Sequence, residues 1–351
     1  MPCTTVLVGR NASNDHSTMI ARTDDGFYDV KKLVVVTPDK QPKKYKSVIS
    51  HVEIPLPEDP LRYTSCPSVD LKNGIWAATG INAANVGMTA TETITSNPRV
   101  LAADPLVRYE KANKRGEKDK PGGIGEEDIV VLVLPYIKSA REGVLRLAEL
   151  LETYGTYEMN GIAFNDENEV WWMETIGGHH WMAKRVPDDV VVMNPNQFGM
   201  DSFDLEDAFG KKKAHLCSKD LREFIDQNFL DLNQDGVFNP RWVFGSHSDS
   251  DYVYNTPRAW FMGRYLCPKS HTWDGPDAEF TPESDYLPWA LKPDKKVAVE
   301  DVAYLLSGNY QGTPYSLYSS QDTGKRGIYR SIGIARTDVT SICQIRPYAP
   351  D

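Results

Sequence analysis

The chain has 351 residues, 40% of them hydrophobic and 25% charged, which is long and apolar enough for a large buried core and reads as a soluble globular protein. Its formal net charge of −10 repels phosphate backbones, and no basic stripe interleaved with aromatics offsets it, so nucleic acid is excluded as a partner. Five cysteines, Cys3, Cys66, Cys217, Cys267 and Cys343, are odd in number, far apart and never in a C-x-x-C pair, which argues against a disulfide framework and a zinc site.

Residues 4–9 and 18–22 are β-prone and flank the turn formers Asn11 to Asp15, so they are expected to form a hairpin with Cys3 and Arg22 at the same end of neighbouring strands. A strand at 33–36 precedes a Pro/Lys-rich loop, and strands at 75–79 and 86–91 flank the turn Asn82 to Asn85. Residues 128–154 carry a helical pattern, expected in pieces because Pro135 and Gly143 interrupt it. Two further hairpins are expected: 161–164 with 170–173, and 181–186 with 190–193. A helix follows at 259–266 and a last strand at 342–346. Many antiparallel hairpins and few amphipathic helices indicate an α+β fold with helices covering sheets, in one domain over 1–351. The longest apolar run, 129–134, is far shorter than the ~20 residues of a membrane helix, and no charged-then-apolar leader opens the chain; a cytoplasmic protein is expected.

Cys3 carries the chemistry. Only Met1 and Pro2 precede it, and their removal would leave a cysteine whose own α-amine, with a reference pKa of about 7.7–8.0, is a base for the thiol. Three other motifs read as bland. Asp231 to Gly236 imitates the start of a calcium loop, but Trp242 stands where the twelfth-position glutamate is required. His179 and His180, placed in a strand, would point to opposite faces and share no metal. Gly122 to Gly125 lacks the ending of a phosphate-binding loop and reads as a flexible loop before the helix.

Cys3-Thr4-Thr5, Ala21-Arg22-Thr23-Asp24-Asp25, Gly80-Ile81-Asn82, Thr91-Glu92-Thr93 and Pro195-Asn196-Gln197 together resemble the dipeptidase A family. This is a group of cysteine N-terminal-nucleophile hydrolases related to penicillin V acylases and bile salt hydrolases. The resemblance implies a four-layer αββα sandwich of two antiparallel sheets, a removable propeptide of residues 1–2, and hydrolysis of a broad range of dipeptides through a thioester, with no cofactor and no metal. It also implies a homo-oligomer, and a chain that stops short of the family's usual length.

Residue by residue, Cys3 resembles the nucleophile and Arg22 the arginine that favours thiolate. Asp25 would hold the α-amine, with Asp24 as rival. Asn196, with Asn194 as alternative, would donate to the oxyanion, and Arg258 corresponds to a second arginine near the nucleophile. The second oxyanion donor has no clear equivalent on the strand after Asn82. Asn82 could line the pocket and Glu92 could receive a substrate's free amine. The rival readings are an acylase of non-peptide amides and a non-enzymatic, secernin-like interaction protein.

Overall fold

The computed structural model describes residues 3–26, 30–114, 116–233, 236–320 and 324–348; the expected propeptide, Met1 and Pro2, lies outside the described residues. The strands of the two large sheets are β1 (Cys3–Val8), β2 (Thr18–Asp24), β3 (Thr79–Ile81), β4 (Gly87–Thr89), β5 (Glu92–Thr93), β6 (Asn160–Asn165), β7 (Val170–Thr175), β8 (Trp181–Arg185), β9 (Val191–Asn194), β10 (His215–Cys217), β11 (Ala290–Leu291) and β12 (Val339–Ile345). Three helices matter for what they cover: α1 (Ala140–Tyr154), α2 (Thr256–Leu266) and α3 (Val299–Leu306). The first sheet runs β11-β9-β1-β2-β12, and the second runs β10-β8-β7-β6-β4-β3 with β5 also on β6; every pairing in both is antiparallel.

Alternating side chains sort these strands into three cores. Val6, Val8, Met19 and Ala21 on β1 and β2 pack with Trp260 and Met262 of α2 and with Val302 and Leu305 of α3. Leu7 and Ile20, on the opposite faces of the same strands, pack with Ala163, Trp172 and Met182 of the second sheet. The remaining face of that sheet, with Phe164, Trp171 and Met173, meets Val144, Leu147 and Leu151 of α1. Trp171 and Trp172 are adjacent yet belong to different cores and are both fully buried, so β7 is buried on both faces. Truncating either ring to alanine would cost about 3–5 kcal/mol.

The first hairpin forms as expected, with Cys3 opposite Asp24 and Thr5 opposite Arg22. Four expectations need correction. Strands 181–186 and 190–193 are not partners: β8 pairs β7 and β10, whereas β9 pairs β1 and β11. The turn between them crosses from one sheet to the other because the carbonyl of Asp188 accepts from Asn11 and Ala12, beside β1, instead of closing a hairpin. Gly143 does not break the helix; it lies inside α1, where a Cβ would stand 2.4 Å from the Phe164 ring. The strand expected at 75–79 begins only at Thr79. Finally, His179 and His180 lie in the connection between β7 and β8, and both reach Asp104, at 3.2 and 2.8 Å.

Candidate active site

β1 opens on Cys3, whose side chain is fully buried. From the neighbouring strand, Arg22 Nη2 donates to Cys3 Sγ at 2.8 Å, to Asp24 Oδ1 at 3.3 Å and to Glu126 Oε1 at 3.0 Å. Lys31 Nζ lies 3.3 Å from the other oxygen of Asp24. Burial pushes the Cys3 thiol upward and the Arg22 charge opposes that, while Glu92, Glu126 and Asp24 add to the rise. Cys3 Sγ and carboxylate oxygens of Asp24 and Glu126 lie within 4.8 Å of one another, a spacing that could suit a metal ion. The cation found among them is the Arg22 guanidinium, within bonding distance of all three.

Behind Cys3 stands Arg258, in the first turn of α2 and fully buried, which removes the reading of a solvated helix residue. Its Nη1 donates to Cys3 O at 2.5 Å and to Thr4 Oγ1 at 2.7 Å; its Nη2 donates to Asn196 Oδ1 at 2.7 Å and Asn255 Oδ1 at 2.8 Å. Burial lowers this guanidinium to about 10, helped by the charge of Arg330 and opposed by Glu92. Asn196 Oδ1 also accepts from the Cys3 main-chain nitrogen at 3.3 Å, and Asn196 Nδ2 donates to Thr93 O at 2.9 Å. Asn194, the alternative, directs its amide to Pro195 O and Gln197 O within its own turn.

The expected hold of Asp25 on the Cys3 nitrogen is not what its carboxylate makes. Asp25 accepts from Arg330 Nη2, from Thr337 Oγ1 at 2.6 Å and from Thr23 Oγ1 at 3.4 Å. Glu92 does lie near Cys3: its Oε2 accepts from Thr5 Oγ1 at 2.8 Å, its Oε1 is buried without a partner, and burial lifts it to about 8 against the charges of Arg258 and Arg22. Asn82 serves the fold instead. Its Nδ2 donates to Leu134 O and Ile137 O and its Oδ1 accepts from the nitrogens of Ala84 and Val86, which uses the whole amide on its turn and on the segment before α1.

The sequence model of peptidase family C69 matches residues 2–351, and a "Dipeptidase" of Bifidobacterium longum (strain NCC 2705) is 58% identical over 356 residues, covering 100% of this chain and 67% of its own. This chain belongs to peptidase family C69. A "Probable dipeptidase A" of Streptococcus pyogenes serotype M3 is 52% identical over 100% of the chain and 71% of its own, and the "Dipeptidase A" of Lactobacillus helveticus 45% over 99% and 70%. Among solved structures, a mutant conjugated bile acid hydrolase from Clostridium perfringens matches with a TM-score of 0.29 and 13% identity over 50% of this chain and 48% of its own.

Within this C69 peptidase several residues at the site carry no signal in the linear sequence. Glu126 reaches Arg22 from the glycine-containing loop 122–125, Arg330 and Thr337 reach Asp25 from more than 300 residues away, and Asn255 braces Arg258. Glu126 had one indirect mark: it follows a Gly-rich stretch of the kind that lets backbone pack closely. A Cβ at Gly125 would stand 2.2 Å from the Tyr157 ring.

Among the described residues no helix is long and apolar enough to cross a membrane. The partial calcium-loop motif falls partly on residues 234–235, outside the described residues; Asn233 N donates to Asp231 Oδ1 in a local turn.

Proposed function

We propose that this peptidase is a cysteine dipeptidase that cleaves a broad range of dipeptides after removal of Met1 and Pro2. The observation that carries the reading is the Arg22 guanidinium on Cys3 Sγ, with Asn196 and Arg258 holding the main chain of the same residue. The curated relatives' names supply the substrate class. In this reading the freed α-amine takes the thiol proton, and the thiolate, favoured by Arg22, attacks the scissile carbonyl. The α-ammonium then gives its proton to the departing amine, leaving a thioester that water hydrolyses with the amine again as base. Asn196, whose amide nitrogen carries two hydrogens, is the proposed oxyanion donor. Asp25, locked by Arg330 and Thr337, positions the end of β2 against Cys3, and Glu92 meets a polar group of the substrate beside Thr5.

The same proposal includes the four-layer αββα arrangement, supported by three apolar cores in the order α1, second sheet, first sheet, α2 with α3.

The test compares unblocked dipeptides with a conjugated bile acid, on material whose mass shows Cys3 as first residue. Turnover of dipeptides, lost by about 10⁴-fold or more in Cys3→Ser, is expected. Activity on the bile acid alone, or full dipeptidase activity with Met1 and Pro2 still attached, overturns the reading.

A further inference from the structure

An asparagine can stabilise an oxyanion only if its amide is already in place when the charge develops, so the turn that carries it must be held. Asn196 lies in the turn after β9, Pro195-Asn196-Gln197-Phe198-Gly199. At the near end of this turn Asn194 Nδ2 donates to Pro195 O and Gln197 O, and Asn255 Nδ2 donates to Asn196 O at 3.1 Å. Phe198 anchors the turn in the core between the two sheets, together with Trp172.

Two buried ionisable side chains grip the far end, at Gly199. From β7, Glu174 Oε1 accepts from Gly199 N at 2.7 Å. The same oxygen accepts from the indole nitrogen of Trp172 at 2.9 Å, two residues earlier on the same face of the strand, which fixes the direction of the carboxylate. From the helical turn Pro240–Phe244, Arg241 Nη2 donates to Gly199 O at 2.6 Å, and its Nη1 donates to Leu287 O at 2.7 Å and Asp285 O at 3.3 Å. The main-chain nitrogen of Arg241 donates to Met200 O at 3.0 Å. The turn closes without slack: a Cβ at Gly199 would stand 1.7 Å from Asn194 Oδ1.

Glu174 is 0% and Arg241 8% accessible. Burial disfavours both charges: it lifts the Glu174 carboxyl to about 7 against its hydrogen bonds and the charge of Arg241, and it lowers Arg241 against the charges of Asp201 and Glu174. Stability alone argues for apolar residues here, because well-packed hydrophobic side chains often serve a core as well as buried ions do. What charged groups add is direction, through hydrogen bonds roughly twice as strong as neutral ones. Glu174 stands in the second sheet and Asn196 follows a strand of the first, so the grip fixes a turn of one sheet against the other.

We propose that Glu174 and Arg241 are positioning residues for Asn196, clamping Gly199 at its nitrogen and its carbonyl so that the asparagine three residues earlier keeps its place on Cys3. This inference rests on the dipeptidase reading, with Asn196 as oxyanion donor. Glu174 and Arg241 act through the turn and touch no reacting atom.

The experiment measures kcat and KM for alanylalanine with protein processed to Cys3, in the wild type, Glu174→Leu, Glu174→Gln, Asn196→Ala and the Glu174→Leu/Asn196→Ala double variant. Crystal structures of the wild type and Glu174→Leu accompany it. Glu174→Leu should lower kcat by about 10-fold or more with KM within about 2-fold, the mark of an interaction lost in the transition state. Glu174→Gln, whose amide oxygen still accepts from Gly199 N and Trp172, should recover kcat to within about 3-fold. Asn196→Ala should lower kcat by about 100-fold or more, and adding Glu174→Leu to it should cost no more than about 2-fold further, since the group being positioned is gone. In the Glu174→Leu crystal structure Asn196 Oδ1 should lie about 1 Å farther from the Cys3 nitrogen. Should Glu174→Leu fail to fold, Arg241→Met carries the same expectations. Full kcat in the clamp variant, or an equal loss with and without Asn196, overturns the clamp and leaves the dipeptidase reading intact. A wild type that does not hydrolyse the dipeptide sinks the dipeptidase reading; displacement of Asn196 in the crystal structure then keeps the clamp, and an unmoved Asn196 overturns it as well.

Discussion

The two sides of Cys3 hold different parts of the residue. Toward α2, Arg258 and Arg330 face Glu92 and Asp25, and Arg258 also donates to the Cys3 carbonyl, Asn196 and Asn255. Toward loop 122–125, Arg22 and Lys31 face Asp24 and Glu126, and Arg22 also donates to Cys3 Sγ. The α2 side is a bracket that holds the main chain of Cys3 through Arg258 and Asn196. The other side holds the sulfur itself, through a guanidinium that also meets Asp24 and Glu126.

Arg22→Met should break this contrast most severely. It leaves Asp24 and Glu126 buried without their shared cation, a loss of about 3–5 kcal/mol in unfolding free energy by urea titration. Alkylation of Cys3 by iodoacetamide should need a higher pH, since the charge opposing the thiol's rise is gone. An unchanged alkylation profile would mean that Arg22 serves the fold alone.

The Asp25–Arg330 pair tests whether the other side is a bracket. Single variants Asp25→Asn and Arg330→Met should each destabilise, and a double-mutant cycle should give a coupling of up to about 3 kcal/mol. Additivity of the two would separate Arg330 from the site.

Glu92→Gln sharpens the comparison through pH. Because burial raises the folded carboxyl to about 8 from a reference of 4.5, the folded state holds an extra proton between those values. Stability contributed by the protonated form is therefore present at low pH and lost as pH rises through that window, with a slope of at most about 1.4 kcal/mol per pH unit. Unfolding free energies at pH 5, 6.5 and 8 should fall less steeply in Glu92→Gln than in the wild type. Parallel slopes would count against the burial argument.

The smallest effect belongs to Asn82→Ala, away from both sides. Loss of its bonds to Leu134 O and Ile137 O should cost about 1–3 kcal/mol of stability while the preference for unblocked over acetylated dipeptides stays as in the wild type. A changed preference would return Asn82 to the substrate pocket.

Cys3 and Arg22 could be placed together from sequence because they lie on strands joined by one short turn, where strand alternation sets which residues are neighbours. Asn196 and Arg258 come only with the family motifs, since nothing local says that a helix start donates a 2.7 Å hydrogen bond to a turn 62 residues away. Asp25 is expected to hold the Cys3 nitrogen, whereas the partners its carboxylate has, Arg330 and Thr337, come from the far end of the chain. The 181–193 region was misread for the same reason. Its two strands have ordinary hairpin patterning, and the decision to send them to different sheets is made by β1, β7 and the turn after β1.

By itself, then, the order of residues determined the family, the cysteine at the start of a strand, and the alternating faces that bury β1 and β2, because these depend on covalent neighbours and on a two-residue period. Only the tertiary structure decided which charges meet around the sulfur. Glu126 reaches Arg22, and Arg330 reaches Asp25, over distances in space that have no counterpart in chain separation.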